Sequence, residues 1–404
     1  SIEFFTNSMV RQLWEQNTAV VLVDTGNSYE GLCDYVNGKY ISYTEEHPIT
    51  MNPFAIKREE LNIEKIGFLK NLIMLIWKGT NGRITKTEDH LIEDVITEYY
   101  DAHFRTGKVK ELSFNTFYEY STARIPEIVR DNNLEGIDLA TYNYLLKDFY
   151  KGGNHELTLN ENLDTALFDE TFLVFEIDSI KDDPLLFPLV TLIIMDVFIQ
   201  KMRIKKNRKV LVIEEAWKAI ASPMMAEYIK YLYKTARKFW ASVGVVTQEI
   251  QDIVGSPIVK EAIINNSDVI MLLDQSKFKE RFDEIKAILG LTDVDCRKIF
   301  TINRLENKEG RSFFREVFSR RGQNAAVFGV EEPHECYMTY TTERAEKEAL
   351  KLYKRELRCS HQQAIEAYCR DWDRSGISKS LPFAQKVNQA GHVLNLQPTE
   401  KQYS

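Results

Sequence analysis

Along this chain, short aliphatic runs end in polar groups, and long stretches of helical periodicity separate them. Val210-Leu-Val-Ile213 runs straight into Glu214 and Glu215, a pattern suited to a strand buried on both faces of a parallel sheet. Thr18 to Asp24, Thr171 to Asp178, Ala241 to Gln248 and Asp268 to Asp274 repeat the pattern. Between them the apolar spacing is helical: Phe4, Phe5, Met9, Val10 and Leu13 within residues 4–17, then Ile66 to Ile76, Glu88 to Tyr100, Pro184 to Ile199, Met224 to Trp240 and Lys277 to Leu289. From about residue 60 to 165 strand signals almost vanish, which predicts an all-helical segment set into an α/β fold with a mainly parallel sheet. Residues 311–330 read as a hairpin, Ser312 to Phe318 and Ala325 to Val330, joined by Ser319 to Asn324 with Gly322 and Asn324 in the turn. A charged helix is expected from Thr342 to about Arg374, then a polar tail over 375–404.

In open parallel sheets ligands bind at the carboxyl ends of the strands. Three strands deliver polar tips there: Asp24 with the Thr25-Gly-Asn-Ser28 turn, Glu214 and Glu215, and Thr247 and Gln248. Val210 to Glu215 has the shape of a Walker B strand. In a nucleotide hydrolase the first carboxylate, Glu214, holds the magnesium shell, and the second, Glu215, polarises the attacking water. Thr247 and Gln248 could sense a γ-phosphate or orient that water, and the plainer alternative is a set of solvated acids and turn residues. Arg237 and Lys238, ending the 224–240 helix, fit either a solvated last turn favoured by the helix dipole or groups reaching a phosphate in a neighbouring subunit. Arg315, Arg320 and Arg321 fit either an exposed basic hairpin or trans-acting arginines.

Composition narrows the choice. With 52 basic and 60 acidic side chains among 404 residues, the net charge of −8 argues against a dominant non-specific DNA-binding surface. Five scattered cysteines, Cys33, Cys296, Cys336, Cys359 and Cys369, lack metal-ligand spacing and suit a reducing compartment. The longest apolar stretch, Pro184 to Ile199, contains Asp196 and falls short of the roughly 20 residues that span a bilayer, so a buried helix is expected.

The set Phe4-Phe-Thr-Asn7, Val20-Val-Leu-Val-Asp-Thr-Gly26, Met51-Asn-Pro-Phe54, Val212-Ile-Glu-Glu-Ala-Trp217, Arg237-Lys238, Val245-Val-Thr-Gln248 and Asn265-Asn-Ser-Asp268 resembles the conjugation ATPases of type IV secretion systems, in particular the TraG-type ATPases of Bacteroides conjugative transposons. The resemblance covers most of residues 4 to 350 and lies in order and spacing. It implies a RecA-like P-loop motor interrupted by an all-helical insertion, using ATP and Mg2+ at the cytoplasmic base of a secretion channel. On that basis residues 1–58 and 167–345 form the motor, 59–166 the insertion, and 346–404 a C-terminal helix and tail. It further implies a homo-oligomer, a hexamer among the options, docked on inner-membrane channel proteins, with DNA contact left open. A DNA-translocating coupling protein and a non-catalytic P-loop scaffold are the alternatives.

One departure stands out. The family's Gly-x-x-x-x-Gly-Lys-Ser/Thr loop belongs immediately before Phe4, where this chain reads Ser1-Ile-Glu3, and no such motif occurs elsewhere. Ser375 to Ser380 has similar residues at the wrong spacing. The start therefore reads as a boundary within a longer protein. Because that loop carries most phosphate binding, the 404-residue chain alone is expected to bind ATP weakly.

Overall fold

The computed structural model describes residues 2–215, 222–248, 255–304 and 314–394. Five strands, β1 (Ala19–Asp24), β2 (Lys39–Ser42), β3 (Phe172–Glu176), β4 (Lys209–Glu214) and β5 (Ala241–Val246), form a parallel sheet in the order β2-β3-β1-β4-β5. Because every neighbour runs parallel, all five carboxyl ends lie along one edge. Asp24 pairs in register with Glu176, and Glu214 with Val246. Each residue of β1, β3 and β4 is buried, as expected of strands covered on both faces. The side-chain period of two sorts them. Val21, Val23, Leu173, Phe175, Leu211 and Ile213 join one core, while Val20, Leu22, Phe172, Val174, Val210 and Val212 join the other.

The second face is covered by α1 (Ile2–Glu15), α2 (Glu30–Tyr35) and residues from the C-terminal part of the chain. Four helices between β2 and β3 share the core cluster of the first face: α3 (Ile63–Lys78), α4 (Lys86–Phe104), α5 (Phe114–Asp131) and α6 (Leu139–Leu146). Each starts at a side-chain cap, Asn62, Thr85, Ser113 or Asp138, which accepts a hydrogen bond from an otherwise orphaned backbone N–H. This helical layer has no separate core. Tyr99, Phe114, Phe117 and Tyr142 are buried in one cluster continuous with the sheet residues Val21 and Phe175. Phe54, of the Asn52-Pro-Phe54 turn, stacks on Phe117 at 4.9 Å and ties the two together. Tyr144, on α6, stays 78% exposed.

Two long helices lie directly on this face and carry the insertion helices: α7 (Leu186–Ile204), which leads into β4, and α8 (Pro223–Lys238), which leads into β5. The stretch from Pro184 is a buried helix, with Asp196 held by Lys65 at 3.0 Å. No described helix is long and apolar enough to cross a membrane. Beyond β5 come β6 (Val269–Leu272), α9 (Phe282–Leu289), α10 (Asp293–Ile299), β7 (Arg315–Arg321) and β8 (Asn324–Val330). The order β6-β7-β8 makes a separate antiparallel sheet.

Four expectations change. The hairpin turn is only Gly322 and Gln323, so Arg320 and Arg321 are strand residues and the joining segment is shorter than the 319–324 expected; Ser312 and Phe313 lie outside the described residues, as do Ala216 and Trp217. Residues 276–281 form a 3₁₀ turn before α9, so the helix expected from Lys277 begins at Phe282. The single helix expected from Thr342 to Arg374 is two, α12 (Arg344–Leu357) and α13 (His361–Ser375), after the short α11 (His334–Tyr340). Arg358 breaks it by adopting the left-handed conformation, and Ser360 restarts it in a capping box with Gln363. The expected polar tail holds a further helix, α14 (Ser380–Ala390), whose Phe383, Ala384 and Val387 are buried against Tyr368 and Trp372.

Candidate functional site at the carboxyl edge of the sheet

Three strands end beside one another in carboxylates. Asp24, the last residue of β1, folds the loop after it: Oδ1 accepts the Gly26 N–H at 3.2 Å and Oδ2 the Ser28 N–H at 2.6 Å. Asn27 takes a left-handed φ of 54°, a region Asn tolerates, and donates its N–H to Glu176 Oε2 at 3.0 Å. Glu176 Oε1 accepts the Asp178 N–H at 2.8 Å. Burial raises the pKa of Asp24 and pushes that of Glu176 up to about 7, where the neighbouring Asp24 charge adds to it.

Glu214 ends β4 and is buried. Its Oε1 accepts from the Thr6 hydroxyl of α1 at 3.0 Å and from the Tyr29 phenol. Burial raises its pKa to about 7. Glu215 departs from the strand with φ of 53°, which turns its side chain away from that of Glu214. Its N–H donates to the Val246 carbonyl at 3.1 Å, and its Oε1 accepts the Gln248 N–H at 2.9 Å. The two adjacent acids are thus split: one buried and clamped, the other half-buried on the β5 side beside Thr247 and the exposed Gln248.

The structure therefore brings together Asp24, Glu214, Glu215, Thr247 and Gln248. Arg237 and Lys238 are elsewhere. They end α8, at the amino edge of the sheet, and all six residues of β5, about 20 Å of strand, separate them from Thr247. Lys238, like Arg237, therefore lies about a strand length from these carboxylates. Arg237 donates to both carboxylate oxygens of Asp268, at 3.0 and 3.2 Å, in an exposed pair. Arg315 and Arg321 stand at opposite ends of the seven-residue β7, about 20 Å apart, so one phosphate cannot take both. Arg320 donates to the Leu289 and Gly290 carbonyls and caps the end of α9, which leaves it a structural task.

Glu176, Tyr29 and Thr6 belong to the site and were not identified from sequence. Glu176 is followed by Ile177 and Asp178, so the apolar run conceals where the strand ends. The available signal was that Glu176 is the first acid to close the apolar run from Phe172, as Asp24 closes the run from Ala19.

The sequence matches the family model described as the TraG P-loop domain over residues 2–372. Protein TraC of Escherichia coli (strain K12) is 23% identical over 290 residues, 69% of this chain and 31% of TraC, so the chain spans about a third of that relative. Among solved structures, VirB4 of Thermoanaerobacter pseudethanolicus superposes with a TM-score of 0.59 at 19% identity, over 83% of this chain and 87% of that one. The plasmid coupling protein TrwB, in complex with the non-hydrolysable ATP analogue ADPNP, gives a TM-score of 0.52 at 12% identity, over 81% of each chain. Both likenesses concern the fold, a RecA-like α/β fold with a parallel sheet. By its match over nearly its whole length, this chain belongs to the TraG P-loop domain family.

Proposed function

We propose that this chain is the motor segment of a conjugative type IV secretion ATPase, hydrolysing ATP at the carboxyl edge of its parallel sheet. The observation that carries the reading is the split pair at the end of β4, a clamped Glu214 beside a Glu215 turned toward Gln248. The site offers hard oxygen donors, which suit magnesium. Among the described residues no group of three or more His, Cys, Asp or Glu side chains could hold a metal ion by itself. Glu214 would be the protein's contribution to an ion otherwise held by water and the nucleotide's own phosphates. Such an ion neutralises phosphate charge when bound.

Glu215 then orients and deprotonates the attacking water, while Thr247 and Gln248, on the adjacent tip, position it against the γ-phosphate. Asp24 and Glu176 shape the Gly26–Ser28 loop beside them. Because Arg237 and Lys238 lie at the far edge of the sheet, they act on a neighbouring copy, in a head-to-tail homo-oligomer such as a hexamer. In this reading residues 1–58 and 167–345 are motor and 59–166 the helical insertion, and the assembly docks on inner-membrane channel proteins. In the full-length protein, Glu215→Gln is expected to keep ATP binding while lowering turnover by on the order of 10²-fold or more. Unchanged turnover in that variant overturns the proposal.

A further inference from the structure

The geometry points to Tyr29 as a positioning residue for Glu214: its phenol holds Oε1 so that Oε2 is the oxygen presented to the metal and its water. This rests on the reading of Glu214 as the metal-shell carboxylate. Two hydroxyls approach Oε1, but they are not equivalent. Thr6 Oγ1 has one proton and three acceptors, Glu214 Oε1 at 3.0 Å and the Ile2 and Glu3 carbonyls at 2.9 and 3.1 Å. Its back-bonds to the preceding turn compete with Glu214. Tyr29 is fully buried and aims its proton at Glu214.

The phenol is also fixed from behind. Tyr29 follows the loop whose backbone is pinned by Asp24 through Gly26 and Ser28, by Glu176 through Asn27, and by Asn7, whose Nδ2 donates to the Ser28 carbonyl at 3.0 Å. The Tyr29 carbonyl in turn accepts the Cys33 N–H of α2 at 2.9 Å. A loop at the tip of β1 thereby orients a side chain at the tip of β4. Partners that orient a metal ligand in this way typically affect metal affinity by about 10- to 100-fold.

The test uses the full-length protein carrying Glu215→Gln, with ATP present, and reads Mn2+ affinity by electron paramagnetic resonance. Tyr29→Phe, which removes one oxygen and keeps the ring, is expected to weaken Mn2+ binding about tenfold, with ATP affinity retained and circular dichroism unchanged. In a Glu214→Gln background the same change should have no further effect, because the carboxylate it orients is gone. Equal Mn2+ affinity with and without the phenol, or full additivity with Glu214→Gln, overturns the inference. If Tyr29→Phe does not fold, Thr6→Val supplies the second arm: it should weaken Mn2+ less than tenfold, and a larger loss assigns the clamp to Thr6 instead. Should the parent protein show no Mn2+·ATP binding at all, the proposed function falls, and that outcome is distinct from a failure of Tyr29 alone.

Discussion

The two edges of the central sheet differ in the sign of their buried charges and in how many further charges they leave exposed. At the carboxyl edge Asp24, Glu176 and Glu214 are buried, and each is pinned by hydrogen bonds from loops or hydroxyls. At the amino edge Lys201 and Lys209 are buried and donate to backbone carbonyls, whereas Arg203, Lys206, Arg208, Lys234, Arg237 and Lys238 are exposed, and Trp240 beside them is 71% exposed in a left-handed conformation. The difference is one of preorganisation. On the proposed function, the acids that meet a ligand are fixed in advance, at the expense of burying charge, whereas the exposed cations that would meet another molecule stay in solvent on long side chains. One molecule thus carries an acidic edge and a basic edge that its own sheet keeps apart.

Breaking the comparison at its strongest point means removing an amino-edge cation. In the full-length protein Arg237→Ala is expected to lower ATP turnover about 10³-fold without abolishing nucleotide binding, and mixing it with Glu215→Gln should restore part of the activity. Rescue requires one copy's arginine at another copy's carboxyl edge. If Arg237→Ala, Arg315→Ala and Arg321→Ala all hydrolyse ATP like the parent, the shared-site arrangement is wrong.

A second prediction concerns the buried acids. Glu176 and Glu214 lie above the ordinary glutamate value of 4.5, both near 7, because burial disfavours their charged forms. The folded chain therefore holds more protons than the unfolded one between those values. The stability these groups contribute is fully present below about 4.5 and is lost as the pH rises through about 7. Without metal or nucleotide, the contribution of these two acids should lower the melting temperature across that window, and Glu176→Gln should flatten the decline. A slope identical in the variant would refute the assignment.

The smallest effect belongs to the amino edge. The Arg237–Asp268 pair is exposed on both sides, so Asp268→Asn should shift stability by less than about 1 kcal/mol, measured by urea unfolding. A larger loss would mean that Arg237 serves the fold rather than a neighbour.

Much of the fold was legible because buried parallel strands and helices leave periodic patterns. Val210 to Ile213, Ala19 to Val23 and Ala241 to Val246 were read as strands, and they are. Breaks within helices were harder. The interruption at Arg358 rests on a left-handed turn that a charged residue does not announce, and α14 hides in a polar segment because only Phe383, Ala384 and Val387 turn inward.

By itself the sequence determined which segments are strands, that their tips carry acids, and that Glu214 and Glu215 share one tip, since each follows from local periodicity and chain order. Tertiary structure alone decided which acids act together. Glu176 enters because β3 pairs in register with β1, and Tyr29 meets Glu214 across 185 residues of chain. The same structure turned Glu215 away from Glu214 by one backbone angle, gave Arg320 a helix to cap, and set Arg237 and Lys238 a full strand length from the acids. These are relations between groups distant in sequence, fixed by register and packing, and no local pattern encodes them.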